Sequence, residues 1–144
     1  MKNLTIISFL FSILLLSNSA FCQSSDENIG NIDEKVVLKK ITEEYIIQYL
    51  DKNENSEKNS RKEFIITNEA TLDRLHNLLI DGFESMNPGP IEFELENGEL
   101  RLYYINKKIG RDVVEIIHEN NKTEETGTLI RLNQNDIQLL FGKN

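Results

Sequence analysis

The strongest constraint on the fold is the stretch IEFELENGELRLYYI at 91–105, in which apolar and charged residues alternate. Every second residue of IEFELE is a glutamate and the residues between are apolar, which is the period of a strand with one buried face. Asn97 and Gly98 then supply the two positive-φ residues of a tight hairpin turn, and ELRLYYI continues as the partner strand. The sequence therefore predicts an antiparallel hairpin here.

The clearest helix precedes this hairpin, in TNEATLDRLHNLLIDG. Leucines spaced three and four residues apart mark one apolar face over about 68–80. Thr67 or Asn68 can cap the start, and Gly82 stands where a helix C-terminus favours a left-handed residue. Two prolines and a glycine in MNPGP then end regular structure.

The other segments favour strands. Residues 34–50 fit either a helix or strands, because apolar residues at near-helical spacing overlap the alternation of EYIIQYL; we favour a strand at 43–50, preceded by a short strand or helical turn at 35–41. Three further segments predict strands at 62–67, 111–119 and 127–132. A short C-terminal helix follows, capped by Asn133 or Asn135 and closed by Gly142.

Strands joined by short turns imply antiparallel pairing, and a helix with one apolar face must cover the sheet. We therefore predict an α+β domain over 34–144, in which an antiparallel sheet of about four to six strands packs against one main helix, with a short C-terminal helix.

The N-terminus has the layout of a signal peptide over 1–22. A lysine precedes the apolar run TIISFLFSILLL, which at about 18 Å is too short to span a membrane of roughly 30 Å. This predicts export without a transmembrane anchor. Residues 23–33 lack an apolar period and predict a flexible tether.

The leader can end in two ways at Cys22, which is the only cysteine. Cleavage after Cys22 resembles that of bacterial signal peptides that end just before a glutamine. Alternatively Cys22 is lipidated, although Phe21 stands where a lipoprotein signal normally has a small residue. In either case the chain has no intramolecular disulfide.

The charge balance bears on the choice of partner. The chain has a formal net charge of −8, and loss of Lys2 with the leader makes it −9. An acidic surface argues against binding to nucleic acid and to anionic membranes, which are bound mainly through Lys and Arg. A basic protein is the compatible partner, although acidity also serves solubility.

An acidic row marks the candidate binding surface. Glu92, Glu94 and Glu96 share one face of their predicted strand, and Arg101 in the next strand is their expected cross-strand partner. Of the two consecutive tyrosines that follow, one faces the core and the other lies outside. We include Tyr103 in the candidate surface, because aromatic residues often carry binding energy at interfaces.

Two other features predict no chemistry. DKNENSEKN at 51–59 spaces oxygen ligands like a calcium loop, but Ser56 replaces the turn glycine and Lys62 replaces the final glutamate, so we predict a polar loop. His76 and His118 are expected to be structural, since no catalytic motif accompanies them. We expect no metal or cofactor.

These observations predict a small, exported, non-enzymatic binding protein of the bacterial cell envelope, periplasmic or secreted. An inhibitor or immunity protein acting on a basic partner is the concrete version. The alternatives are a lipid-anchored lipoprotein of structural role and a small hydrolase in which a histidine meets carboxylates in a concave pocket.

Overall fold

The structure is a computed structural model of the chain that describes residues 26–53, 61–85 and 88–143. The predicted leader, Cys22 and most of the polar loop at 51–59 lie outside these residues. The predictions made for them stay predictions.

Two antiparallel four-stranded sheets are separated in sequence by the main helix. The first sheet is followed by helix α1 (Glu69–Ser85), and helix α2 (Gln134–Leu140) ends the fold. The strands of the first sheet, in spatial order, are β1 (Glu27–Ile32), β2 (Val36–Ile41), β3 (Glu44–Leu50) and β4 (Arg61–Ile66). Those of the second are β5 (Ile91–Leu95), β6 (Gly98–Ile105), β7 (Val113–Asn120) and β8 (Glu125–Thr128).

The α+β class, the antiparallel pairing, the main helix and the short C-terminal helix are confirmed. The predicted antiparallel sheet of about four to six strands is present twice, since the described residues contain two sheets of four strands each. α1 falls between β4 and β5, so the strands before it and after it form separate antiparallel meanders.

Part of the predicted tether is a strand. β1 pairs with β2 from Glu27 opposite Lys40 to Ile32 opposite Val36, and the register shifts between Asn28 and Gly30. Of the side chains in β1 only that of Ile32 is buried. The strand is held by backbone hydrogen bonds to β2, which do not require apolar side chains. Its sequence therefore lacks the alternation of apolar residues from which a strand is predicted.

The β5–β6 hairpin is confirmed, but its turn is not the predicted one. Leu95 pairs with Gly98, so the two turn residues are Glu96 and Asn97, and neither Asn97 nor Gly98 has a positive φ. Gly98 is needed for space instead, because a Cβ there would lie 2.0 Å from the carbonyl oxygen of Glu119 in β7.

Helix α1 begins as predicted and ends later. The Asn68 side chain accepts a hydrogen bond from the backbone N–H of Thr71 at 2.8 Å, so Asn68 is the N-cap. Gly82 does not end the helix, which continues to Ser85; it is buried inside it. The second helix has Asn133 as N-cap with a reciprocal Asp136 bond, and Gly142 follows it with φ +64°.

Both sheets and both helices contribute to one hydrophobic core. The inward-facing residues include Tyr49 from β3, Leu100 from β6, Leu75 from α1 and Leu140 from α2. Neither described helix is long and apolar enough to cross a membrane.

Candidate functional site

The outward-facing side of the second sheet collects most of the predicted site residues. Strand pairing places Glu92 opposite Arg101 and Glu94 opposite Glu99, and paired residues of a ladder share one face. β7 adds two more glutamates to that face, opposite Glu99 and Tyr103. We call this surface the acidic face: Glu92, Glu94, Glu99, Arg101, Tyr103, Glu115 and Glu119.

Arg101 is at the centre of the acidic face but does not neutralise the predicted row. Its Nη2 lies 2.6 Å from Glu99 Oε1 and its Nη1 lies 2.9 Å from Glu119 Oε1. Glu92 and Glu94 are exposed, and neither forms an ion pair with a described residue.

One glutamate of the acidic face is bound by cations from outside the second sheet, one of them in the segment that follows β3. Glu115 binds Lys52 and lies 3.2 Å from Arg131 Nε. The hydrogen bond from Lys52 is the main cause that holds the pKa of Glu115 below its usual range, against a smaller effect of burial. Glu115 is thus occupied within the fold and is less available to a partner than Glu92 or Glu94.

The two consecutive tyrosines point as the strand period requires. Tyr103 is on the acidic face and is half-buried. Tyr104 faces the core, where its hydroxyl donates towards the carbonyl oxygens of Leu78 and Leu79 at 3.1 and 3.0 Å, and burial strongly raises its pKa.

One predicted site residue is placed elsewhere. Glu96 is in the β5–β6 turn, outside the strand, because the hairpin closes one residue earlier than Asn97-Gly98 suggests. Sequence reasoning missed Glu99 and Glu119. Glu99 could have been predicted, because it lies two residues from Arg101 in β6 and alternate residues of a strand share one face. Glu119 could not, because its position depends on how β7 pairs with β6.

A cleft between the two sheets surrounds His118, which is 5 % exposed. Its Nδ1 lies 3.1 Å from the hydroxyl of Tyr49 in the first sheet, and its Nε2 makes no hydrogen bond to a described residue. The cleft has a volume of about 410 Å³ and is lined by Tyr49, Arg61, Lys62, Glu63, His118, Asn120, Glu125 and Gly127.

His76 has a different environment. It is buried between the helices, where Nε2 lies 3.2 Å from Gln138 Oε1 and the ring lies 5.1 Å from that of Phe141. These contacts join α1 to the C-terminal helix, so His76 has the features of a structural residue. The two histidines share no neighbour in these contacts.

Asp51, the first residue of the calcium-like stretch, is engaged within the fold. Its carboxylate lies 2.6 Å from Lys62 Nζ. It also accepts hydrogen bonds from the backbone N–H groups of Asn53, at 3.0 Å, and of Thr128, at 3.2 Å. Within residues 26–53, 61–85 and 88–143, no group of three His, Cys, Asp or Glu side chains is placed to hold a metal ion.

The position of His118 predicts a loss of stability in mild acid. Burial lowers the pKa of His118, the Lys62 cation lowers it further, and Glu125 acts in the opposite direction. A histidine with a lowered pKa takes up its proton more readily in the unfolded chain, so its stability contribution falls as pH drops below about 6.5. The free energy of unfolding should therefore decline as pH falls below about 6.5, by at most about 1.4 kcal/mol per pH unit.

Urea denaturation at several pH values measures this decline, with His118→Asn as the comparison. The asparagine keeps an oxygen that can accept from Tyr49 but cannot titrate, so its curve should be flat over the same window. An equal decline in both proteins would assign the effect to other groups.

The fold and the site together define an α+β protein with an acidic sheet face and a separate histidine cleft. No protein-family model, curated protein or solved structure matches this chain.

Proposed function

We propose that this chain is a small, exported, non-enzymatic binding protein of the cell envelope that binds a basic protein through the acidic face. The observation that carries the proposal is the clustering of Glu92, Glu94, Glu99 and Glu119 around Arg101 on one side of a sheet. An inhibitor or immunity protein that neutralises a basic toxin or hydrolase is its concrete form.

The chemistry of the acidic face supports a protein partner. Glu92 and Glu94 are exposed, are unpaired with described residues, and lie on a regular strand that holds their spacing. Carboxylates of one sign steer a cationic partner towards the surface and fix its register. Tyr103 is beside them and offers aromatic area of the kind that anchors interfaces.

The test is a capture experiment on the purified chain, performed on envelope extracts at low salt. We expect a basic protein to be retained and to be released as salt is raised, because exposed charge pairs are screened. Replacement of Glu92 and Glu94 by glutamine should weaken its binding roughly tenfold.

A matched control is the double variant Glu43→Gln/Glu44→Gln. It removes the same charge from two exposed residues of the first sheet, one in the turn between β2 and β3 and one at the start of β3, and should leave binding unchanged. Retention of no partner by the unaltered chain would count against the proposal, as would equal losses in the two double variants.

A second candidate function is hydrolysis in the His118 cleft. It is favoured by one observation: His118 and Glu125 line the same concave cleft, and the charge of Glu125 acts on the His118 ring. A neutral imidazole can act as a general base. Hydrolysis of ester or peptide substrates that His118→Asn abolishes, without loss of folding, would support it; equal activity in both proteins would exclude His118 as the base.

A further inference from the structure

The β6–β7 connection forms a basic tip on an acidic protein. The tip consists of Lys107, Lys108, Ile109, Gly110 and Arg111, all of them exposed. Ile109 is 93 % exposed, the more exposed of the two large apolar side chains that stand out from the described surface. Asp112 is half-buried, and its Oδ1 accepts a hydrogen bond from the backbone N–H of Lys107 at 3.0 Å. The tip thus presents an apolar side chain flanked by three cations.

The complementary surface is on the same chain. At the free edge of β5 a pocket of about 430 Å³ combines three glutamates with two apolar side chains. Its lining, which we call the acidic pocket, is Arg74, Leu78, Glu92, Phe93, Glu94 and Glu99. The Arg74 guanidinium carbon lies 5.1 Å from the centre of the Phe93 ring. Glu99 is paired with Arg101, so Glu92 and Glu94 are the two carboxylates of the pocket that form no ion pair with a described residue.

The tip cannot reach the acidic pocket of its own chain. It follows Ile105 at the end of β6, whereas Glu92 and Glu94 lie opposite Arg101 and Glu99 in the same strand pair. At about 3.3 Å per residue these positions are roughly 13 to 20 Å back along a regular strand. Contact between the two surfaces requires a second molecule.

We propose that the basic tip of one copy docks into the acidic pocket of a second copy. Ile109 would pack against Leu78, which is half-buried, and the tip cations would face Glu92 and Glu94. This proposal rests on the proposed function. It names a second copy of this chain as one partner whose basic residues bind Glu92 and Glu94.

The net charge of the chain does not prevent this contact. Repulsion between two acidic molecules acts over their whole surfaces, but it is screened beyond about 8 Å at physiological ionic strength. The attraction is between charges in contact and is screened less. Because the tip is small compared with a standard interface of about 1,600 Å², we expect weak association.

The two surfaces differ, so the contact is head-to-tail and can propagate into chains of molecules. This geometry gives a sharp test by analytical ultracentrifugation of the full chain at about 0.15 M salt. The average mass of the unaltered protein should rise with concentration up to about 500 µM. At about 0.5 M salt the rise should be smaller.

Two variants block one surface each. Ile109→Asp should reduce association at least about tenfold by removing the apolar anchor, and Glu92→Lys/Glu94→Lys should do so by charge repulsion. Mixed in equal amounts, the two should form a one-to-one dimer and nothing larger, because one intact tip meets one intact pocket. Leu139→Ser, which alters the other exposed apolar side chain, should associate like the unaltered protein.

An unaltered protein that stays monomeric up to about 500 µM would overturn the proposal. A monomeric mixture, or association that survives in either blocked variant, would also overturn it by placing the contact elsewhere. None of these results decides whether another basic protein binds, because that is measured separately by the capture experiment with Glu92→Gln/Glu94→Gln.

Discussion

Replacement of Asp51 by alanine is expected to lower the free energy of unfolding by about 2–3 kcal/mol. The Asp51 side chain is 4 % exposed and forms an ion pair with Lys62, whose side chain is 21 % exposed. The variant removes this carboxylate and leaves the backbone N–H of the buried Thr128 without its acceptor. A buried donor that loses its partner costs more than the average hydrogen bond contributes.

Urea denaturation at pH 7 measures the effect, and Asp73→Ala is the matched control. Asp73 also pairs with a lysine, Lys143, at 2.8 Å, but the two side chains are 50 % and 45 % exposed. Such surface pairs contribute about 0–1 kcal/mol. Equal losses in the two variants would show that burial adds nothing to the Asp51 pair.

The same carboxylate has a pH signature. Burial acts to raise the pKa of Asp51, but the hydrogen bonds from Lys62, Asn53 and Thr128 outweigh it and hold the pKa below its usual value. The stability contribution of a carboxyl group with a lowered pKa is present above about pH 4 and is lost as pH falls further. Asp51→Ala should lack this part of the acid transition.

Replacement of Gly82 by alanine is expected to destabilise the protein by about 1–3 kcal/mol. In an open helix the same change stabilises by about 1 kcal/mol. Here the sign reverses, because the added Cβ would lie 2.0 Å from Cζ of Tyr104. The ring cannot move freely, since its hydroxyl is bonded to the carbonyl oxygens of Leu78 and Leu79.

Thermal or urea unfolding checks this prediction, with Gly89→Ala as the control. A Cβ at Gly89 would meet nothing within 4 Å. A double variant adds a second check: combining Gly82→Ala with Tyr104→Val should cost less than the sum of the single changes, because the methyl then enters the vacated space. Stabilisation by Gly82→Ala would contradict the packing of Tyr104 against α1.

Local patterns were sufficient to predict most of the regular structure. The alternation in IEFELE predicted β5, the leucine spacing predicted α1, and Asn68 and Asn133 act as N-caps in the way their side chains allow. These signals work because periodicity and capping depend on neighbours in the chain. The predicted end of α1 was wrong because Gly82 has a different role from the one its position suggested. It does not end the helix but leaves space for the side chain of Tyr104 from β6.

Non-local pairing escaped prediction. β1 carries almost no apolar period, so only its partner β2 reveals it. Glu92, Glu94, Arg101 and Tyr103 were correctly grouped on one hairpin face, but Glu119 joins them through β7. The cleft around His118 depends on contact between two sheets, which no single segment specifies.

Binding of a basic protein to the acidic face is tested most directly by site-specific photo-crosslinking in cells that produce the protein. A benzophenone-bearing amino acid at Tyr103 resembles tyrosine in shape and reports what touches the acidic face. The same residue at Gln48, on the outer side of the first sheet, is the control. If the acidic face binds a basic protein, position 103 should give a covalent adduct with that protein and position 48 should give none. No adduct from position 103, or equal adducts from both, would contradict it.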